Sequence, residues 1–217
     1  MKLYGVALSP FVRKVLFTFG ELGLAGETIE VAPHSTDADF RLTSPSGRIP
    51  GFADGDFLIN DSAAICRYLV TRERSELMGG PSPQRQGRIV QWETWGDAAL
   101  APALMAPLME RVVKPVRLKQ PTDEDAVSTA VRDALPAAYD TLDKALAERG
   151  PWLIGDVFSY ANIAIGAHMA SAELADVPPD AARFEHLAAW FARVQERAAY
   201  QAMMDQTRAT ITRLENA

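Results

Sequence analysis

The chain has 217 residues, 48% of them hydrophobic and 23% charged, a composition that excludes disordered, collagen-like and fibrous proteins. The formal net charge is −6 at pH 7 and no dense basic run appears, which argues against nucleic acid as the main ligand. The single cysteine, Cys66, cannot form an internal disulfide, and no metal site is predicted. The sequence shows neither a signal peptide nor an apolar run of about 18 residues, so we expect a cytoplasmic protein without a membrane segment.

The first third of the chain is predicted to form a mixed sheet with flanking helices. Apolar residues at helical spacing predict a helix over residues 10–22, which Gly23 ends in a left-handed conformation. Short apolar runs on either side of this helix, and two more around a turn at residues 53–56, predict four strands. Another helix opens at Ser62. The predicted strands lie at residues 3–6, 28–31, 49–52 and 57–59.

The rest of the chain is predicted to be helical. Residues 78–84 are rich in glycine and proline and form the best candidate linker, which separates an α/β domain at residues 1–77 from an all-helical domain at residues 85–217. Pro102 and Pro107 interrupt the first long helical segment and predict a bend or a break there. The predicted helical segments lie at residues 84–113, 127–149, 159–174 and 184–197.

The first candidate site is Ser9, which follows the first strand and precedes Pro10. Serine is a preferred N-cap and proline suits the first turn of a helix, so the local sequence alone favours a simple capping role. The functional alternative is that a hydroxyl at the positive end of a helix dipole stabilises an anion. A dithiol redox site would have Cys-x-x-Cys at this junction, whereas residues 9–12 read Ser-Pro-Phe-Val. A thiol that reacts here would therefore come from a bound molecule.

Two further constellations follow. Pro50 opens a strand, and an X-Pro bond in that position is a candidate for the cis form. Such a bond would turn the backbone of Ile49 outward to pair with an extended peptide. Asp61 and Ser62 begin a helix, where free N–H groups, a hydroxyl and a carboxylate suit the charged ends of an amino acid. Both motifs also have a purely structural interpretation. The first would be an ordinary turn before an edge strand, and the second would be an ordinary capped helix.

Taken in order, these motifs resemble the cytosolic glutathione transferases over essentially the whole chain. The resemblance is to serine-type enzymes of bacterial character, with N-terminal motifs similar to those of the phi and tau classes. It implies a thioredoxin-like first domain, a helical second domain and a homodimer. The matching segments are residues 3–5, 9–12, 47–50, 61–65, 152–156 and 159–162, followed by Trp190 and Arg197.

The resemblance also implies roles for individual residues. Ser9 matches the serine that the family directs at the glutathione sulfur. Asp61 and Ser62 would hold the γ-glutamyl end, and the backbone of Ile49 would pair with the cysteinyl unit. The full set of implied glutathione-binding residues is His34, Arg48, Ile49, Pro50, Asp61 and Ser62. Arg48 stands where the family often has Gln or Lys, opposite the glycine carboxylate, and His34 lies in a variable loop.

The implied function is conjugation of glutathione, as co-substrate, to small apolar electrophiles without a metal. The electrophile pocket would be lined by residues whose helical spacing also fits ordinary core packing, namely Phe11, Trp95, Met105 and Met109. Alternatives on the same fold are a glutathione-dependent isomerase, dehalogenase or lyase. An alternative of another class is a non-catalytic module that binds a protein partner. The presence of Ser9 together with residues 61–62 favours an enzyme.

One position departs from the family pattern. The capping box that starts with Ser159 usually ends in Asp, and here it ends in Asn162. An amide can accept a hydrogen bond from the Ser159 N–H, but it adds no negative charge to the helix dipole. This substitution predicts a weaker start of the helix that follows.

Overall fold

The computed structural model describes residues 1–216, and its N-terminal domain is built on a four-stranded sheet. The strands are β1 (Lys2–Tyr4), β2 (Glu27–Ile29), β3 (Gly51–Asp54) and β4 (Phe57–Asn60), in the spatial order β2-β1-β3-β4. β1 pairs in parallel with β2 and antiparallel with β3, and β3 pairs antiparallel with β4. The predicted mixed sheet is therefore confirmed, with strand ends shifted by up to two residues.

Helix α1 (Pro10–Leu22) has the bounds that the sequence predicts. Pro10 provides its first residue, and Gly23 ends it at φ 64°, a left-handed conformation that glycine adopts without strain. Every residue from Val12 to Phe19 is buried. The helix is therefore enclosed on all sides, between α3 (Ser62–Arg72) in its own domain and helices of the C-terminal domain.

A short helix that the sequence analysis did not predict, α2 (Ala38–Thr43), lies between β2 and β3. The Asp37 carboxylate accepts the N–H of Phe40 at 2.8 Å and so caps the helix. Phe40 is fully buried, with its ring centroid 6.3 Å from that of Tyr4. Six residues are too few to display a helical period, so the Asp37 cap is the signal that the sequence does carry.

The C-terminal domain is helical, as predicted. The predicted linker, residues 78–84, runs from the last residue of a 3-10 turn at Glu76–Met78 into the start of the first of these helices. In chain order the helices are α4 (Pro83–Trp95), α5 (Ala101–Leu108), α6 (Glu124–Thr129), α7 (Leu135–Arg149), α8 (Tyr160–Leu174), α9 (Glu185–Gln195) and α10 (Ala198–Glu215). Among residues 1–216, no helix combines the length and the apolar character that a membrane crossing requires.

Pro102 and Pro107, where the sequence predicts a bend or a break, do not break the helix: both lie inside α5, and π-helical stretches flank α5 on either side. The backbone stays helical from α4 through α5 to Leu118, by way of two π-helical stretches at Gly96–Leu100 and Met109–Leu118. Proline removes the donor for the carbonyl four residues earlier. Pro102 therefore cannot donate to the carbonyl of Ala98, and in the first π stretch, just before this proline, the carbonyl of Gly96 accepts the N–H of Ala101, five residues later.

Arg13 joins the two domains. Its side chain is fully buried, and its Nε donates to the carbonyl of Ala167 in α8 at 3.2 Å. One terminal nitrogen donates to the carbonyl of Leu8 at 3.1 Å and the other donates to the hydroxyl of Ser171. Burial lowers the pKa of Arg13 to about 10. The guanidinium is therefore charged at pH 7 and is held largely by neutral oxygens, which a buried cation needs.

Candidate active site

A cavity of about 840 Å³ opens between the N-terminal domain and the helical segment from α5 to Leu118. Its lining brings together residues that are far apart in the sequence, from the start of α1, the start of β3, the start of α3 and one face of α5. Nine of the predicted site residues line it, namely Ser9, Phe11, Arg48, Ile49, Pro50, Asp61, Ser62, Met105 and Met109. The cavity therefore has a polar side in the N-terminal domain and an apolar side in the helical domain.

Ser9 occupies the N-cap position of α1 in an extended conformation, but its hydroxyl makes no capping hydrogen bond within the described chain. Its backbone alone performs the capping, since the Ser9 carbonyl accepts the N–H of Arg13 at 3.0 Å. Ser9 lines the cavity at the positive end of the α1 dipole. The simple capping role that the local sequence favours is not what the side chain does here.

The Ile49–Pro50 peptide bond is cis, as the sequence analysis anticipated. Ile49 lies just before β3, and within residues 1–216 its backbone N–H and C=O make no hydrogen bond to another backbone group. Both residues line the cavity. Such unpaired backbone groups beside a sheet are the chemistry by which an extended peptide adds to a fold.

Asp61 begins α3 in an unusual conformation, with φ at 74°. Its Oδ1 accepts the N–H groups of Ala63 at 2.9 Å and Ala64 at 3.1 Å, so the carboxylate caps the helix. A non-glycine residue at positive φ costs about 1–3 kcal/mol, and such residues cluster at ligand sites. The neighbouring Ser62 is buried and lines the same cavity. Capping uses only part of the carboxylate's capacity as an acceptor.

Two predicted site residues are not brought into the cavity lining that residues 1–216 define, namely His34 and Trp95. His34 is exposed beside the rim, where its N–H donates to the carbonyl of Gly47 at 2.7 Å. Trp95 packs edge to face on Trp92, with ring centroids 5.5 Å apart. The sequence predicts one helical segment for Trp95 and the apolar wall, whereas in the structure Trp95 ends α4 and the wall begins ten residues later, at Met105 of α5.

The sequence analysis missed other residues of the lining. Met105, Met109, Val113 and Arg117 follow one another at intervals of four, so the helical period could have extended the wall beyond Met109. Arg117 adds an exposed guanidinium to a wall that is otherwise apolar. The remaining lining residues outside the predicted site are Val6, Leu8, Pro10, Pro33, Ser46, Asn60 and Leu108.

The chain's own thiol is not available to this site. Cys66 is fully buried in α3, and the hydroxyl of Thr18 donates to its sulfur at 3.3 Å. Burial raises the pKa of the Cys66 thiol to about 11, so it is protonated at neutral pH. A thiol that acts in the cavity is therefore brought by a ligand.

Comparison with known proteins identifies this arrangement. Residues 3–77 match the family described as glutathione S-transferase, N-terminal domain, and residues 125–193 match glutathione S-transferase, C-terminal domain. The chain belongs to the glutathione S-transferase family. Glutathione S-transferase GstB of Escherichia coli is 32% identical over 168 residues, which cover 75% of this chain and 78% of that protein. Glutathione S-transferase 3 of Zea mays is 30% identical over 210 residues, covering 93% and 91%.

Solved structures of glutathione S-transferases have the same fold. The theta class enzyme from Xanthomonas axonopodis pv. citri, solved with glutathione bound, is 26% identical. It superposes with a TM-score of 0.77 over 92% of this chain and 94% of that one. The chain thus has the thioredoxin-like N-terminal domain and the helical C-terminal domain of a glutathione S-transferase, as the sequence predicts.

Proposed function

We propose that this glutathione S-transferase binds glutathione on the polar side of the cavity and joins it, through its sulfur, to small apolar electrophiles held on the other side. The observation that carries the proposal is Ser9, which lines the cavity at the start of α1 and whose hydroxyl makes no capping hydrogen bond within the described residues. A donor at that place is free to act on a bound thiolate.

The polar side offers groups for each part of the tripeptide. Asp61 would hold the γ-glutamyl ammonium with the carboxylate capacity that its cap leaves free, and Ser62 would bind the adjacent carboxylate with its hydroxyl. The unpaired backbone of Ile49 would pair with the cysteinyl unit in the manner of an added strand. Arg48, exposed at the cavity, would face the glycine carboxylate. We assign no contact to His34.

The role of Ser9 follows from thiol chemistry. A free thiol has a pKa of about 8.5, so only about 3% of it is thiolate at pH 7. Lowering that pKa by about two units corresponds to about 2.7 kcal/mol of preferential stabilisation of the thiolate. A hydroxyl that donates to the sulfur and the N-terminus of α1 each favour the anion, and each would supply part of that stabilisation.

The transfer step then needs no further group from the chain. The thiol proton leaves to solvent, and the thiolate attacks an electrophilic carbon that lies against Phe11, Met105 and Met109. A carbon–sulfur bond forms, and the bond to the leaving group breaks with its electron pair departing on that group. The apolar wall excludes water from the electrophile, and holding both reactants in one cavity makes the step effectively unimolecular.

The first experiment is calorimetric binding of glutathione, with the ultraviolet thiolate band followed against pH in the same samples. Binding with a thiolate band that persists below pH 7 supports the proposal. S-Methylglutathione is the control, because it binds through the same groups and has no thiol to ionise. Conjugation of chlorodinitrobenzene is then measured as the reaction.

Other outcomes separate the alternatives. Binding without a thiolate band contradicts the proposed role of Ser9 and favours an isomerase or lyase that uses glutathione otherwise. Absence of binding at millimolar glutathione contradicts the enzyme proposal and favours a module that binds a protein partner. The family also leads us to propose a homodimer in the cytoplasm, which sedimentation of the purified protein and fractionation of the source cells would test.

A further inference from the structure

A buried polar cluster lies behind the cavity, where α1 meets the helical domain. Lys14, Tyr160 and His168 are fully buried, and Glu93 is 9% exposed. The Lys14 ammonium lies 2.8 Å from each carboxylate oxygen of Asp97 and 3.6 Å from Glu93. The hydroxyl of Tyr160 donates to Glu93 at 2.6 Å. A buried ammonium is tolerated only with such partners, so the cluster fixes the geometry of the groups around it.

His168 is held in this cluster by one hydrogen bond. Its Nε2 lies 2.7 Å from Oδ1 of Asp97. Burial lowers the pKa of His168, and the positive charges of Lys14 and Arg13 lower it further, although Asp97 acts in the opposite direction. The imidazole is therefore neutral at pH 7, and its proton lies on Nε2, where Asp97 accepts it. The other nitrogen, Nδ1, has no hydrogen-bond partner among the described residues.

The cluster reaches the cavity through Phe11. The Phe11 ring packs edge to face on the His168 ring, with centroids 5.6 Å apart and an angle of 80° between the planes. The Lys14 ammonium lies 5.5 Å from the centroid of the same ring. Because Phe11 also lines the cavity, one residue contacts both His168 and Lys14 of the cluster and the proposed electrophile subsite.

We propose that His168 is a positioning residue, which Asp97 anchors and which holds the Phe11 ring so that the cavity prefers flat aryl electrophiles to small alkyl ones. The inference rests on the proposed function, since it assigns a substrate class to the apolar side of that cavity. An aromatic ring held at a fixed angle stacks well on another aromatic ring. A small alkyl electrophile gains little from the orientation of that ring.

The test compares His168→Gln with wild type. Glutamine retains a donor for Asp97 but offers no ring edge to Phe11. We expect KM for chlorodinitrobenzene to rise about 2- to 10-fold, the size of one aromatic contact, while KM for iodoethane and KM for glutathione stay unchanged. The matched control is His186→Gln, a histidine exposed on α9, which leaves all three constants unchanged.

A double-mutant cycle gives the decisive result. If His168 acts only through Phe11, His168→Gln has no further effect on KM for chlorodinitrobenzene in a Phe11→Leu background. Additive effects of the two substitutions, or equal effects on both electrophiles, overturn the proposal. If His168→Gln does not fold, Phe11→Leu is measured alone. A preference for aryl over alkyl electrophiles that is unchanged in Phe11→Leu also overturns the proposal. Failure of the wild-type protein to bind glutathione instead overturns the proposed function.

Discussion

Gly20 of α1 lies directly against Ala199 of α10: a Cβ atom at Gly20 would be 2.7 Å from the Cβ of Ala199 and 2.9 Å from its Cα. Both contacts are shorter than van der Waals separation, and one involves the backbone, which cannot rotate away. The absence of a side chain at Gly20 therefore lets the first helix of the N-terminal domain approach the last helix of the chain.

Gly20→Ala should lower the free energy of unfolding by about 1–3 kcal/mol, because the extra methyl group forces the two helices apart. Gly87 is a matched control, since it also lies inside a helix, α4, and a Cβ there would meet nothing within 4 Å. Gly87→Ala should raise stability by about 0.5–1 kcal/mol through helix propensity alone. Urea denaturation measures both, and a loss of stability in both variants would contradict the packing explanation.

Ser9→Ala should reduce kcat for conjugation at pH 7 by about 10- to 100-fold, the value of one hydrogen bond to a charged group. The fold should be unaffected, because the backbone of Ser9, and not its hydroxyl, caps α1. The thiolate band of bound glutathione should move to higher pH in the same variant. The control is Ser128→Ala, at an exposed serine on α6. An unchanged thiolate band in Ser9→Ala would contradict the proposed role.

Asp61→Asn separates the capping role of this residue from its proposed binding role. Asparagine caps a helix as well as aspartate does, so stability should change little, whereas loss of the negative charge should raise KM for glutathione by about 10- to 100-fold. Asp123 caps α6 with the same pattern, accepting the N–H groups two and three residues later, both at 3.1 Å. Asp123→Asn should leave KM unchanged. Equal effects of the two substitutions would contradict a contact between Asp61 and glutathione.

Asn162→Ala should lower the free energy of unfolding by about 2–5 kcal/mol, because it leaves two buried donors without an acceptor. The Asn162 side-chain oxygen accepts the Leu153 N–H at 3.2 Å and the Trp190 indole N–H at 2.9 Å. Asn162→Asp keeps an acceptor for both donors, so its free energy of unfolding should fall much less than that of Asn162→Ala. Asn216→Ala, at an exposed asparagine, is the control. Thermal denaturation of the three variants checks the order.

Stability should depend on pH through His168. Its pKa in the folded protein is lowered by burial below the value of about 6.5 in the unfolded chain. The unfolded chain then binds more protons, so the contribution of His168 is fully present above about pH 6.5 and is lost as the pH falls below it. His168→Gln should flatten the slope of stability between about pH 7 and pH 5, a slope to which one histidine contributes at most about 1.4 kcal/mol per pH unit. An unchanged slope would mean that His168 does not titrate in this way.

Local signals in the sequence predict those parts of the fold that local chemistry determines. Pro10 and Gly23 delimit α1 because each residue has a backbone preference that suits one end of a helix. The start of α10 carries no such signal: only Glu196 and Arg197 separate it from α9, and neither residue disfavours a helix. The sequence therefore does not predict a separate helix after residue 197.

The candidate site likewise contains residues that the local sequence predicts and contacts that it does not predict. Ser9 and Asp61 were found because they lie at helix starts, where residue type and position are informative together. The local pattern allows the side-chain oxygen of Asn162 to accept the N–H of Ser159, but in the structure Leu153 and Trp190, both distant in the sequence, donate to it. The pairing of Lys14 with Asp97 spans 83 residues, and no local sequence pattern predicts it. Contacts of that kind depend on how the domains pack.

Arg13 and Lys14 are neighbours in the chain that depend on the helical domain in different ways. Arg13 donates to the carbonyl of Ala167, a contact that any α8 sequence can present, and in addition to the hydroxyl of Ser171. Both contacts of Lys14 depend on side chains, those of Asp97 and Glu93. A chimaera that joined this N-terminal domain to the helical domain of a relative would preserve the contact with the carbonyl whatever the graft's sequence. It would preserve the contacts of Lys14 only if acidic residues stood at the two corresponding positions. Exchange of domains at this joint is thus limited by the side-chain partners that the graft must supply, which are acidic residues for Lys14 and a hydroxyl for Arg13.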